Sequence, residues 1–150
     1  MTFLSRRWIA VSLFAAAALS GCSINVGESV AIRNQVKDLT TSTSETIDLS
    51  QVGSDSWSRL CILTPYTTHE TARDVLGFEW DVEGKTNIQR SDSITVLVFA
   101  SDDDVETYAV YPRRDGDFAS VSFESSCLSR ERAKFVRKQN GGSANFVVVE

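Results

Sequence analysis

Residues 93–100 contain the run Ile94-Thr95-Val96-Leu97-Val98-Phe99, and no other stretch constrains the fold as tightly. In a strand, successive side chains point to opposite faces, so Ile94, Val96 and Val98 share one face while Leu97 and Phe99 share the other. Apolar residues on both faces require cover on both sides. The acidic break Ser101-Asp102-Asp103-Asp104 follows, and then residues 105–111, whose β-branched and aromatic content predicts the second arm of a hairpin. Pro112 stops that arm, Asp115-Gly116-Asp117 turns the chain, and residues 118–123 alternate again as a strand does. Asn140-Gly141-Gly142 between residues 133–138 and 146–149 is a further hairpin signal. Residues 129–138 also fit a helix, since Ala133 and Val136 have helical spacing, so both readings stand for that stretch.

Upstream, Leu60-Cys61-Ile62-Leu63 within residues 59–64 has the length and composition of a strand buried on both faces, and Pro65 ends it. Thr67-x-x-Glu70 reads as a capping box, Ala72, Val75 and Leu76 form a helical stripe, and Gly77 sits where helices close. Phe78, Trp80 and Val82 alternate with Glu79 and Asp81, which predicts a half-buried strand before Glu83-Gly84 turns. The expected fold class is α+β: an antiparallel β-sheet of about five to six strands with one covering helix at about 67–77.

The N-terminal segment has a different character. Arg6 and Arg7 precede an apolar stretch from Trp8 to Leu19 broken by Ser12, which is too short to span a bilayer that needs about 20 apolar residues. It ends in Leu19-Ser20-Gly21-Cys22, which resembles the lipobox of bacterial lipoprotein precursors. The alternative is an ordinary secretory signal that ends near a cysteine. The resemblance implies a diacylglyceryl group on Cys22, cleavage between Gly21 and Cys22, and acylation of the new amino terminus. Several acyl chains anchor firmly, since each buried CH₂ contributes about 0.8 kcal/mol. Ser23 after the cysteine implies, by the same resemblance, export to the periplasmic face of the outer membrane.

Removing residues 1–21 leaves 129 residues, enough for one domain. The formal charge then falls from −5 to −7 because Arg6 and Arg7 leave, which argues against nucleic acid as a partner. Residues 22–55 are polar, with Thr40-Thr41-Ser42-Thr43-Ser44 at their centre, and read as a lipid-anchored flexible tether, with 45–52 as an edge strand at its end. Residues 56–150 read as the globular α+β domain.

With Cys22 taken as the lipid site, Cys61 and Cys127 remain as the one internal pair. An oxidising envelope compartment favours a disulfide, worth about 4 kcal/mol by chain entropy for a loop of that length, against the alternative of two buried free thiols. No Cys-x-x-Cys occurs and His69 is the only histidine, so no metal site is expected.

Trp57-x-x-x-Cys61-x-Leu63-x-Pro65-Tyr66, followed by Leu76-Gly77-Phe78-x-Trp80 and a strand ending in Phe99, resembles a group of small uncharacterised bacterial lipoproteins across about residues 48–135. That resemblance implies no activity. Trp57, Tyr66 and Trp80 read as core or core-edge aromatics. His69 lies beside Thr68 and Glu70 in a first helical turn, with no Gly-x-Ser-x-Gly nucleophile motif in the chain. Asp102-Asp103-Asp104 and Asp115-Gly116-Asp117 lack the spacing of an EF-hand loop and read as acidic turns. The basic run Arg130, Arg132, Lys134, Arg137 and Lys138 reads as a charged edge strand. The function this points to is a non-catalytic, cofactor-free binding domain held on the membrane through Cys22, with an envelope protein or the cell wall as partner and Tyr111, Arg113 and Arg114 as the contact residues. The competing class is a periplasmic enzyme inhibitor or small hydrolase.

Overall fold

A computed structural model describes residues 26–121, 127–140 and 143–149. The α+β class holds, with seven strands divided between two antiparallel sheets. The larger sheet has the order β4-β3-β2-β5, from β2 (Arg59–Leu63), β3 (Ile94–Ala100), β4 (Val105–Pro112) and β5 (Cys127–Ser129). The smaller has the order β1-β6-β7, from β1 (Thr46–Asp48), β6 (Lys134–Asn140) and β7 (Ser143–Val148). Among the described residues three α-helices accompany them: α1 (Val30–Thr41), α2 (His69–Leu76) and α3 (Val82–Lys85).

The apolar run at residues 93–100 has the cover it requires. Leu97 and Phe99 of β3, with Leu60 and Ile62 of β2, face a core shared with the smaller sheet and α1. Val96 and Val98, with Cys61 and Leu63, face a second core closed by α2, Trp80, α3 and Ile88. The larger sheet is therefore the middle layer, and its alternating side chains are divided between two interiors.

Residues 30–52 correct the tether expectation. Ser29 caps α1 by accepting from Ile32 N–H, and Ile32, Val36 and Thr40 recur every four residues on the buried face. The stripe is narrow and ends in Thr40, whose hydroxyl bonds Lys37 O and Tyr111 instead of water. A threonine tract that reads as linker is thus partly core. β1 does stand at the edge of the smaller sheet, paired Ile47↔Phe135 with β6, and Ser44 Oγ donates to Thr46 O on its outer side. The folded body extends back to Val26, where the described residues begin; residues 1–25, including Cys22, lie outside them.

Cys61 and Cys127 are register partners on β2 and β5 and are joined by a disulfide across 66 residues of chain. It fastens a three-residue edge strand to the sheet centre. The helix expected at 67–77 is α2, but its cap is Thr68 Oγ1, which accepts from Thr71 N–H, and the acid at its start is Glu83, which accepts from His69 N–H. Thr67 instead donates to Thr64 O at 2.6 Å. Gly77 closes the helix in the left-handed region, as expected. The strand expected through Phe78, Trp80 and Val82 does not form. Asp81 accepts from Gly84 N–H and caps α3 four residues after Gly77, so Trp80 is buried from the connector and Val82 from the first turn of α3. Residues 118–121 turn, with Val121 N–H donating to Phe118 O, where a strand was expected; residues 122 and 123 lie outside the described residues. Residues 129–138 resolve as a 3-10 turn, Arg130–Arg132, leading into β6, which pairs with β7 as the hairpin signal predicts.

Candidate functional site

The loop expected to bind a partner is built mainly for its own stability. Tyr111 is fully buried, because β4 alternation sends Ala109 and Tyr111 into the first core. Its hydroxyl lies 2.6 Å from Thr40 Oγ1 and donates to Asp115 O at 3.3 Å. Burial raises the Tyr111 pKa above its ordinary value, and the nearby Asp115 carboxylate adds to that. Tyr111 is therefore a strut between α1 and β4, which corrects its assignment as a contact residue. Arg113 holds Asp117 with two hydrogen bonds, Nε at 2.9 Å and Nη2 at 2.8 Å, and donates Nη1 to Asp92 O at 2.7 Å. That pairing lowers the Asp117 pKa and raises that of Arg113. Arg114 differs: its side chain is 86 % exposed, with one long 3.9 Å approach to Asp115.

The structure exposes an aromatic that the sequence reads as core or core-edge. Tyr66 is 61 % exposed. It is the one non-glycine among the described residues in the left-handed region, at φ 66°. A side chain there costs about 1–2 kcal/mol, so its surroundings must hold it. Tyr66 N–H donates to Ile88 O at 2.9 Å, and Thr67 N–H donates to Thr64 O across the turn. Ile88 O also accepts from Ser91 N–H, and Ser93 O accepts from Arg113 N–H. The strand registers place Tyr66 and Arg114 at the same end of the larger sheet, where Leu63↔Val96 and Ile94↔Pro112 close the strands. The signal in sequence was Pro65: an aromatic between a strand-ending proline and a helix cap belongs to neither element's buried face.

The other sequence candidates lie elsewhere. His69 Nε2 pairs with Glu79 Oε2 at 2.8 Å on the surface, and Arg73 approaches the same carboxylate at 3.6 Å. No group of three His, Cys, Asp or Glu side chains among the described residues is placed to hold a metal ion. Arg130, read as an edge charge, is a clamp: it lies 4.6 Å over the Trp57 ring and donates to Ser50 O, Ser54 O and Asp55. Two open surface cavities, of about 430 and 420 Å³, are lined by Arg59, Asp102 and Cys127 and by Gln35, Asp38 and Val52 respectively. In the first, the Arg59 guanidinium is already engaged by the carbonyls of Leu76, Ser101 and Asp102. Neither cavity is lined by His69. Among the described residues no helix is long and apolar enough to cross a membrane.

No protein-family model matches the chain, and neither a curated protein nor a solved structure matches it.

Proposed function

We propose that this chain is a lipid-anchored protein of the bacterial cell envelope, held through Cys22 at the periplasmic face of the outer membrane. Its domain acts without catalysis, by binding an envelope protein or cell-wall partner at the end of the larger sheet that carries Tyr66 and Arg114. The anchoring rests on Leu19-Ser20-Gly21-Cys22 at the close of an apolar leader. The observation that carries the binding is Tyr66: a large aromatic, 61 % exposed, on a turn tied down by backbone hydrogen bonds. Tyrosine and arginine dominate the energetics of protein interfaces because each buries a large area while retaining hydrogen-bonding capacity. A rigid turn loses little entropy on binding. The non-catalytic reading is supported by the surroundings of His69, whose ring is paired with Glu79 in the first turn of α2.

The test has two parts. Cys22→Ser should abolish incorporation of labelled palmitate; retained label would remove the anchor. A photo-crosslinker at position 114 in cells should give a discrete adduct that Tyr66→Ala abolishes while the thermal midpoint holds. An adduct unaffected by Tyr66→Ala would remove the binding surface.

A further inference from the structure

The chain joins the larger sheet almost immediately after the lipidation cysteine. Glu28 bridges Tyr108 in parallel along the outer edge of β4, and Ser29 N–H donates to Tyr108 O at 2.9 Å. The Glu28 carboxylate accepts from Arg33 at 2.8 Å, Lys85 Nζ donates to Val26 O at 3.2 Å, and Val26 packs against the second core. Between Cys22 and Val26 stand only Ser23, Ile24 and Asn25. Four residue steps reach at most about 14 Å, whereas a flexible 34-residue leash over 22–55 would average roughly 32 Å.

The direction of entry is also fixed. Because the bridge is parallel, Val26 and Gly27 run toward the start of β4, where Asp102, Asp103 and Asp104 form the turn from β3. Tyr66 and Arg114 lie at the other end, about 20 Å further along β4, from Glu106 to Pro112.

We propose that the anchor seats the domain directly on the bilayer, with the β3–β4 turn against the lipid headgroups and the Tyr66–Arg114 end directed away from them. This rests on the lipid reading of Cys22. The occupant of the turn end is the headgroup layer of the anchoring membrane itself. All three aspartates there are exposed, so that end lies on hydrated headgroups and does not insert. Their charge is compatible with zwitterionic lipid and opposed by anionic lipid.

The lipidated mature chain, reconstituted in phosphatidylcholine vesicles, tests this. A donor fluorophore is placed at position 103 or 114 through an azide-bearing residue, which leaves the disulfide intact, and an acceptor is placed on the headgroups. Energy transfer from position 103 should exceed that from 114 by about twofold or more, given the ~20 Å between the ends. Inserting about 20 Gly/Ser residues between Asn25 and Val26 should remove the difference, because such a linker spans roughly 25 Å. Equal transfer at the two positions in a chain that carries palmitate would overturn the orientation and leave the anchor standing. A chain that takes up no palmitate and does not float with the vesicles would overturn both.

Discussion

The two faces of the larger sheet are covered by different kinds of chain. The second core is closed mainly by the contiguous stretch of residues 64–93, inserted between β2 and β3, with Val26 and the Cys61–Cys127 disulfide as its long-range additions. The first core is closed from both extremes of the described chain: α1 from the beginning and β6 and β7 from the end. Its ties are correspondingly long, with Thr40 bonded to Tyr111 across 71 residues and Thr40 O bonded by Arg137 across 97. It is also the aromatic side, where Phe118 meets Tyr111, Phe135 and Phe146 with ring centroids 4.5–5.6 Å apart. The lesson is that residues 26–41, which follow the proposed lipid site, are part of the fold and not a leash.

The sharpest way to break that comparison is truncation. A chain beginning at residue 45 lacks Ile32, Val36, Leu39 and Thr40 and should show no cooperative thermal transition, since that loss rivals a total stability of about 5–15 kcal/mol. Within the full chain, Ile32→Ala should cost about 2–4 kcal/mol, comparable with Leu76→Ala on the locally closed face, both read by denaturant midpoints. A neutral Ile32→Ala would return residues 30–41 to the tether. Replacing Cys61 and Cys127 together by Ala should cost about 4 kcal/mol and loosen β5 first, seen as early amide exchange at Leu128.

The acid limb sharpens the comparison further. Arg113 holds the Asp117 carboxyl below its ordinary value of 3.8 in the folded state. A depressed folded pKa means that the pair's contribution is present above the unfolded value, and is lost as pH falls from about 4 through the folded value. Asp117→Asn should therefore cost about 1–2 kcal/mol at neutral pH and flatten the fall in stability below pH 4. An unchanged acid limb in that variant would show that other carboxylates govern it.

How much of this was legible follows from where each signal lies. Strands β2 and β3 and helix α2 announce themselves because burial on two faces, a terminating proline and a closing glycine act locally: Leu60 to Leu63, Pro65 and Gly77 each do their work within a few residues. Helix α1 does not, because its stripe holds only Ile32, Val36 and Leu39 before it ends in Thr40, and Thr40 is buried by a phenol 71 residues away. The same long reach hides Tyr111, whose outward-seeming place beside Arg113 is reversed by strand alternation and by α1. Arg130 reads as a free charge until the carbonyls of Ser50 and Ser54 are brought to it by the fold. Of the candidate site, Arg114 could be read directly from sequence, whereas for Tyr66 Pro65 signals only that the ring lies outside both flanking elements; its exposure depends on the backbone conformation of one turn.

The smallest expected effect on stability is also the most discriminating. At φ 66° tyrosine carries a steric cost that glycine does not, about 1–2 kcal/mol. Glycine in turn gives the unfolded chain more freedom, which offsets about 0.4–1 kcal/mol of that gain. Tyr66→Gly should thus leave stability unchanged or raise it by up to about 1.6 kcal/mol, as a slightly higher thermal midpoint, since Tyr66 is largely exposed. The same substitution should abolish the adduct formed at position 114. A residue kept at an energetic disadvantage and yet needed for contact is what a binding role requires. If Tyr66→Gly instead lowers the midpoint by several degrees while the adduct persists, the ring is a structural part of the turn, and the partner surface must be sought elsewhere.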